Sequence, residues 1–588
     1  MRRAARRGIG QQSAKLRIPG ISGTIPVMMM SNRTWQQPLR RLTDLGLRLA
    51  AIAILAVMVL RATVSIDSSH DTWWYHLPWA ARLAGLLPAD TYVLGDFLEH
   101  RYAGFPVLWE WLQGWIWRLT GRPEAVNLLS LGSLLIFVGH LYARFRVPAH
   151  LAFLALVAIP LVQIEATIAY ADLTANLALT SALLLLPPLY SPDPGHRRSD
   201  LAVFFIACAL AANLKLQLIP VTGVVYLVGL IAAIRAWRRE TGGRGHSWGQ
   251  TITAVLAVTL ISAVIFYVPS RNLLSFGNPF YPLAVKVGPL VFDGPEGPPT
   301  LKAPDRQRML VEARGRMPRG PAHPTAPAPE PASARPAPPP AHISAIGTPT
   351  PWLQSVLEIG MEPLLGRGIW SLAGEQDPPL PSHHGGYFGW YVVVNLLLLA
   401  FLVSRRRREH PGVLALFAAT TLVTAFLPSH QILRYYLYWM LVLVSLNLML
   451  LRPRPPLPAS SAGTDLQRLF GSVALLALLL VVYATRAELI QPRFYFVEDL
   501  IEVRRDPTVL AAVEQNAPTC LAGERPPRYF LYSQLFNPGK TYRLKMGPPA
   551  GHSIDAVPRV CAGWNPVVAT GEDTGLLPAR PNGANRSP

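Results

Sequence analysis

Residues 46–79 read GLRLAAIAILAVMVLRATVSIDSSHDTWWYHLPW. The first twenty are aliphatic or small apart from Arg48 and Arg61, and twenty is the length a helix needs to cross the hydrocarbon core of a bilayer. The next fourteen hold two carboxylates (Asp67, Asp71), two imidazoles (His70, His76), three tryptophans and a tyrosine. A spanning helix that empties into an acidic, aromatic loop sets the fold class, because its apolar half recurs along the chain.

Apolar runs fall at about 46–65, 124–143, 149–166, 173–190, 200–214, 217–234, 250–268, 387–404, 411–427, 433–452 and 466–485. Of the 588 residues 51% are apolar and 15% charged, against roughly 25% charged in soluble proteins. The net charge of +20 would suit nucleic acid, but the basic residues gather at the ends of the apolar runs, where membrane topology places them. No nucleic-acid partner is expected. Three cysteines exclude a disulfide scaffold and a cysteine-rich metal site.

Residues 105–118 read as either a span or an interfacial helix, since they are apolar but short and carry Glu110. The positive-inside rule chooses. With the N-terminus inside and 105–118 interfacial, Arg144 and Arg146, His196–Arg198, Arg235–Arg244, Arg405–Arg408 and Arg452–Arg454 all face the cytoplasm. The expectation is an all-α polytopic protein of the bacterial inner membrane with about eleven spans, 200–214 being short or broken. Its N-terminus is cytoplasmic and its C-terminus periplasmic or extracellular.

Around that transmembrane part (43–485) lie a basic leader at 1–42, expected to be disordered, with Met28, Met29 and Met30 as alternative starts. Two external loops are expected, 67–123 and 270–386. The second holds twelve prolines between Pro318 and Pro351, a composition that cannot bury a core. A small external module of α/β or α+β type is expected over 486–570 and a disordered tail over 571–588. Cys520 and Cys561 lie in this outer segment, where disulfides persist, and a bridge between them is expected; Cys208 reads as packing.

Seven of the fifteen tryptophans fall between Trp73 and Trp117, and tryptophan concentrates at the membrane–water boundary. Asp67, Asp71, His70 and His76 are thereby held at the outer edge of the bilayer. Desolvation there raises a carboxylate's proton affinity, which suits a general base acting on a hydroxyl while the other substrate is a lipid. Helix capping suits Asp67 equally; for Asp71, with aromatics packed directly after it, the functional reading is favoured over capping.

Asp71, with Tyr75-His76-Leu77-Pro78 behind it, then Tyr170-Ala-Asp172-Leu, Arg271-Asn272…Gly277-Asn278-Pro279-Phe280-Tyr281-Pro282, and Arg434-Tyr435-Tyr436 all fall on the expected outer face. This set resembles the GT-C superfamily of integral-membrane glycosyltransferases, which includes protein O-mannosyltransferases and lipid A aminoarabinose transferases. Within it the wording is nearest a largely uncharacterised bacterial subgroup. The resemblance covers roughly residues 43–485. It implies transfer of a sugar from a polyprenyl phosphate to a hydroxyl of an envelope glycan, lipid or protein, with inversion. Asp71 then matches the first-loop base, with Asp67 as second candidate. Arg271, Asn272, Lys215, Arg434, Tyr435, His76 and Asp172 are the candidates for holding substrate and lipid phosphate. Arg434 reads equally as a snorkelling anchor, and Lys215 equally as a partner for Asp172. Some superfamily members use a divalent metal; Asp71 and Asp172, with Asp67 and His76, leave Mg or Mn open.

Glu165 lies one loop before Asp172, and His430 close to Arg434. His383-His384 reads more readily as solvated than as a metal pair. No Walker, dinucleotide or HExxH pattern appears. The other classes that fit the composition are a non-catalytic envelope-biogenesis protein and a transporter or lipid flippase. The latter would place its ionisable groups at mid-membrane rather than at one face.

Overall fold

A computed structural model describes residues 33–191, 196–240, 248–287, 290–295, 343–344, 349–357, 386–406, 411–428, 430, 432–452, 461–484, 494–523, 526–547 and 557–568. The leader before residue 33, most of the proline-rich stretch 318–351, His383 and His384, and the tail from 571 lie outside the described residues. The chain divides into two compact units, Met1–Leu45 and Gly46–Pro588; the site and its contacts belong to the second.

The fold is that of an all-α polytopic membrane protein with small sheets on its loops. Among the described residues six helices are long and apolar enough to cross a membrane: Gln37–Val64, Pro123–Phe145, Asp172–Tyr190, Leu216–Arg239, Trp248–Ile265 and Asp465–Tyr483. Gly389–Arg405, Gly412–Ala425 and Tyr438–Leu450 are apolar but shorter. The remaining two of the eleven expected spans differ in kind. The run 149–166 breaks into Ala149–Val157 and Pro160–Glu165, with Pro160 opening the second piece. The run 200–214 lies in Arg197–Leu214, whose first turn carries Arg197, Arg198 and Asp200.

Burial follows from lipid being the solvent. Trp248–Ile265 is apolar all round yet buries only Ile265, and Ile252, Leu256 and Leu260 face outward. That surface is stable only against hydrocarbon. Asp172–Tyr190 and Tyr438–Leu450 are instead buried along most of their length and form the centre. Asparagines there are paired, since an unmet donor in hydrocarbon costs several kcal/mol. Asn447 donates to Asn395 Oδ1 at 2.9 Å. Asn176 donates to Asp172 O (2.7 Å) and Arg434 O (3.1 Å) and accepts from Tyr438 N (2.9 Å).

The 105–118 stretch forms a thirteen-residue helix, Leu108–Thr120, about 20 Å long and too short to span. It buries Trp109, Glu110, Gln113, Gly114 and Trp117 while Trp111, Trp115 and Leu119 face outward at i, i+4, i+8. Its buried face packs on the helix Leu77–Leu83. A Cβ at Gly114 would run into the Ala80 carbonyl oxygen and the Ala84 methyl, so glycine is required for that approach.

The C-terminal part is α/β. Strands β5 (Thr519–Ala522), β6 (Leu544–Met546) and β7 (Asn565–Val568) form a parallel sheet whose other edge is β1 (Tyr92–Val93) from the 67–123 loop, in the order β1-β6-β5-β7. The smaller sheet, β2 (Val285–Val287), β3 (Leu290–Phe292) and β4 (Ile343–Ser344), lies in the second loop. Further bonds tie the 67–123 loop region to the C-terminal part: Ile66 N to Tyr495 O (2.7 Å), and Val497 N to the buried Glu124 Oε1 (2.9 Å). Trp73, Trp79 and Trp117 share one apolar cluster with Phe530 and Tyr532. Cys520 and Cys561, 5.5 Å apart at Cα, are disulfide-bonded.

The bridge closes a separation of 41 residues, worth about 4 kcal/mol in the loop-entropy relation. Cys561→Ser is expected to raise hydrogen exchange in β5 and β7 and also in Tyr92–Val93, measured by mass spectrometry in detergent. Protection of Tyr92–Val93 unchanged from wild type would show that β1 does not depend on the module.

Candidate active site

The first site segment is a π-helical turn, Thr72–His76, whose closing bond runs from Leu77 N to Thr72 O. The wider turn, closed by i→i+5 bonds, brings residues four and five apart onto one side, and such turns recur at functional sites. Asp71, Tyr75 and His76 thus face together, while Trp73 turns inward, its indole N–H donating to Asp67 O at 2.5 Å.

Arg434 supplies the second segment. The expected helix 433–452 begins only at Tyr438; Leu433–Tyr436 is a 3-10 turn. Tyr387 Oη holds that turn by donating to Leu433 O (3.0 Å) and Tyr436 O (3.1 Å), and Asn176 holds Arg434 O. From it the Arg434 Nη2 donates to Asp71 Oδ2 at 3.0 Å, the two side chains being 8% and 16% exposed. The Asp71 backbone N–H donates to Tyr170 Oη at 3.1 Å, and the guanidinium lies 5.0 Å from the Tyr170 ring centre.

A second ion pair lies beside the first. Lys215 stands at the corner between Arg197–Leu214 and the turn Leu216–Leu218, in extended conformation. Its Nζ donates to Asp172 Oδ2 at 2.7 Å and sits 4.8 Å from the Tyr435 ring, which Arg434 approaches at 5.3 Å. Glu165 is fully buried, and neither of its carboxyl oxygens has a hydrogen-bond partner among the described residues.

Burial pushes the Asp71 carboxyl up, but Arg434, His70, His76 and Lys215 outweigh it and hold the group down at about 2. The expectation that desolvation makes Asp71 the stronger proton acceptor is therefore reversed while Arg434 is bound to it. The cation wins because it is at contact distance in a region of low dielectric.

The other expected residues separate into different roles. The Asp67 carboxyl accepts from Ser69 N (2.8 Å), Ser69 Oγ, Thr72 Oγ1 and Ala169 N (3.4 Å), so it closes the loop rather than facing an open site. Asn272 donates to Gly104 O (2.7 Å) and Tyr281 O (3.1 Å) and accepts from Arg271. Arg271 otherwise reaches Phe105 O at 3.5 Å; the hydrogen bonds of this pair join the 267–276 helix to the 67–123 loop rather than to Asp71 or Arg434. His430 is buried with Nδ1 against Leu427 O. Among the described residues no three His, Cys, Asp or Glu side chains come together as a metal-binding group, and Asp71 and Asp172 each already hold a cation. The donor set does not fit a divalent metal.

No family model and no curated protein matches the sequence. The chain is similar to two crystal structures of ArnT from Cupriavidus metallidurans. The apo structure is 14% identical, covering 83% of this chain and 85% of that one at a TM-score of 0.43. The undecaprenyl phosphate-bound structure is 13% identical, covering 88% of each chain at a TM-score of 0.41. What the site does chemically follows from its own side chains.

Three of those were not among the expected site residues, although Tyr170 opens a quoted motif and Glu110 was noted in the 105–118 stretch. Glu110 accepts from His76 Nδ1 at 2.7 Å, both side chains being 4% exposed. Tyr170 touches Asp71, His76 and Arg434, and Asn176 fixes Arg434 through its carbonyl. For Glu110 a signal existed: with Gln113 and Gly114 it makes one polar, close-packing face on a tryptophan-rich helix.

Arg434→Gln is expected to cost about 3–5 kcal/mol near neutral pH, the general penalty for leaving one partner of a buried ion pair alone, because the Arg434 guanidinium is the chief cation holding the Asp71 carboxyl down at about 2 against its burial. A depressed carboxyl stabilises the fold above its ordinary value and loses that contribution as pH falls. The wild-type advantage in thermal unfolding should therefore be complete above about pH 4 and shrink toward pH 2.

Proposed function

We propose that the chain is an inner-membrane glycosyltransferase. It moves a sugar from a polyprenyl-phosphate donor to an envelope hydroxyl at the outer face, with inversion and with Asp71 as general base. The observation that carries this reading is the buried Asp71–Arg434 pair beside the Lys215–Asp172 pair, two cations held next to carboxylates by loops and turns at helix ends. A lipid phosphate offers both cations what the carboxylates now supply. Arginine's planar fork suits a phosphate, and developing charge on a leaving phosphate calls for fixed cations.

The steps follow from exchange of partners. The donor phosphate draws Arg434 and Lys215 toward itself, with Tyr435 beneath both cations. Asp71 loses the charge that holds it near 2, so burial raises its proton affinity. It then takes the proton of the acceptor hydroxyl as that oxygen attacks the anomeric carbon from the face opposite the phosphate. The bond from carbon to phosphate oxygen breaks, and its electron pair stays on the phosphate, facing Arg434 and Lys215. Glu165, unpartnered and close to both pairs, is available to the acceptor. The orientation this requires is the one the basic clusters favour, with the N-terminus cytoplasmic and the C-terminal module outside.

Membranes carrying wild-type or Asp71→Asn protein, offered radiolabelled polyprenyl-phosphate sugars and envelope extract, test this. Transfer by wild type and a loss of 10²-fold or more in the variant, at equal insertion, is expected for removal of a general base. Equal transfer by both proteins would move the base elsewhere.

A further inference from the structure

Three buried side chains on the inner face of the helix Leu108–Thr120 end on the segments that carry the site. Trp109 Nε1 donates to Ala169 O at 2.8 Å, and Gln113 Nε2 donates to the same oxygen at 2.5 Å. Glu110, between them in sequence, accepts from His76 at the end of the π-helical turn. Two N–H donors on one carbonyl engage both of its lone pairs.

Ala169 lies between the helices Pro160–Glu165 and Asp172–Tyr190 and is fully buried. A buried carbonyl must be met by a donor, and here side chains meet it. The peptide plane that holds Ala169 O also holds Tyr170 N. Fixing that oxygen therefore fixes the direction in which Tyr170 leaves the segment. Ser130 Oγ braces the carbonyls on either side, Ile168 O at 2.9 Å and Tyr170 O at 3.4 Å.

Tyr170 is the link to the site. Its Oη accepts the Asp71 N–H at 3.1 Å, and its ring lies 5.0 Å from the Arg434 guanidinium. One helix thus grips both backbones that meet at this bond. It holds the segment of Tyr170 through Trp109 and Gln113, and the turn of Asp71 through Glu110 and His76.

We propose that Trp109 and Gln113 are positioning residues for Asp71: by gripping Ala169 O they hold Tyr170 Oη against the Asp71 N–H, and so fix where the Asp71 carboxylate faces the acceptor hydroxyl. Neither side chain touches a substrate. The consequence for transfer rests on the glycosyltransferase assignment; the chain of contacts does not. A reacting group misplaced by about 1 Å loses on the order of 10²-fold in rate, which is how two N–H groups behind the site reach kcat.

Trp109→Phe keeps the ring and removes one donor; Gln113→Leu keeps the bulk and removes the other. The readout is hydrogen exchange of the Asp71 amide, resolved to the residue by mass spectrometry in nanodiscs. Each single variant should speed that exchange by about threefold and the double variant by at least about tenfold, toward the rate in Tyr170→Phe, which removes the acceptor itself. Exchange within Leu108–Thr120 should stay within about twofold of wild type, because its packing on Leu77–Leu83 through Gly114 is untouched. An unchanged Asp71 amide in the double variant overturns the proposal. So does an equal rise throughout Leu108–Thr120, which would make the two side chains anchors of the helix and nothing more. Should the double variant fail to insert, an unchanged Asp71 amide in both single variants is equally decisive against it.

In sugar transfer the double variant should lose about tenfold or more in kcat. The KM for the polyprenyl-phosphate sugar should stay within about twofold, since Asn176 and Tyr387 still fix the turn under Arg434. Wild-type kcat in a double variant whose Asp71 amide has loosened overturns the positioning role. Absence of transfer by wild type would instead sink the glycosyltransferase reading, while amide exchange still judges the grip on Tyr170.

Discussion

A carboxylate or guanidinium taken out of water beside apolar helices is tolerated only when an opposite charge and hydrogen bonds replace its hydration. Asp71 and Arg434 meet that condition for each other across 363 residues of chain, and removing one partner of a buried pair generally costs 3–5 kcal/mol. Much of the surrounding structure keeps them in register. Asn176 and Tyr387 fix the turn under Arg434, Tyr170 fixes the backbone of Asp71, and the π-helical turn aims the carboxylate. The same condition joins Lys215 to Asp172. Because Tyr435 lies against both cations, the two pairs form one electrostatic unit.

Each cation faces a carboxylate through one nitrogen: Arg434 reaches Asp71 through Nη2 while its buried Nε has no hydrogen-bond partner among the described residues, and Lys215 Nζ reaches Asp172.

Most spans were legible because the bilayer imposes its own length and polarity on the sequence; the exceptions are the 149–166 run, broken at Pro160, and the 433–452 run, whose first turn is 3-10. For 105–118 charge placement favoured an interfacial helix over a span, and the helix Leu108–Thr120 is too short to span, with Trp111, Trp115 and Leu119 facing outward. Partnership was harder to read. The sequence left Lys215 equally a phosphate ligand and a partner for Asp172, and nothing local pairs Asp71 with Arg434, because their proximity depends on the packing of helices far apart in the chain. Asp67 and Asp71 look alike as letters four residues apart; only the fold shows one engaged by four donors and the other by a cation. Arg271 was aimed at the same site by its motif, yet Asn272 holds it toward Phe105. Strand β1 escaped notice because two residues carry no periodicity.

That two-residue strand has a consequence for how the protein is made. Tyr92–Val93 pairs with Leu544–Lys545, and about 450 residues separate the two. At 5–20 residues per second the ribosome needs roughly 20–90 s to supply the partner after the first external loop has emerged. For that interval the loop carrying Asp71 and His76 has an open strand edge and tryptophans with no module to cover them. The loop that carries Asp71 is thus synthesised well before the strand that pairs with its β1.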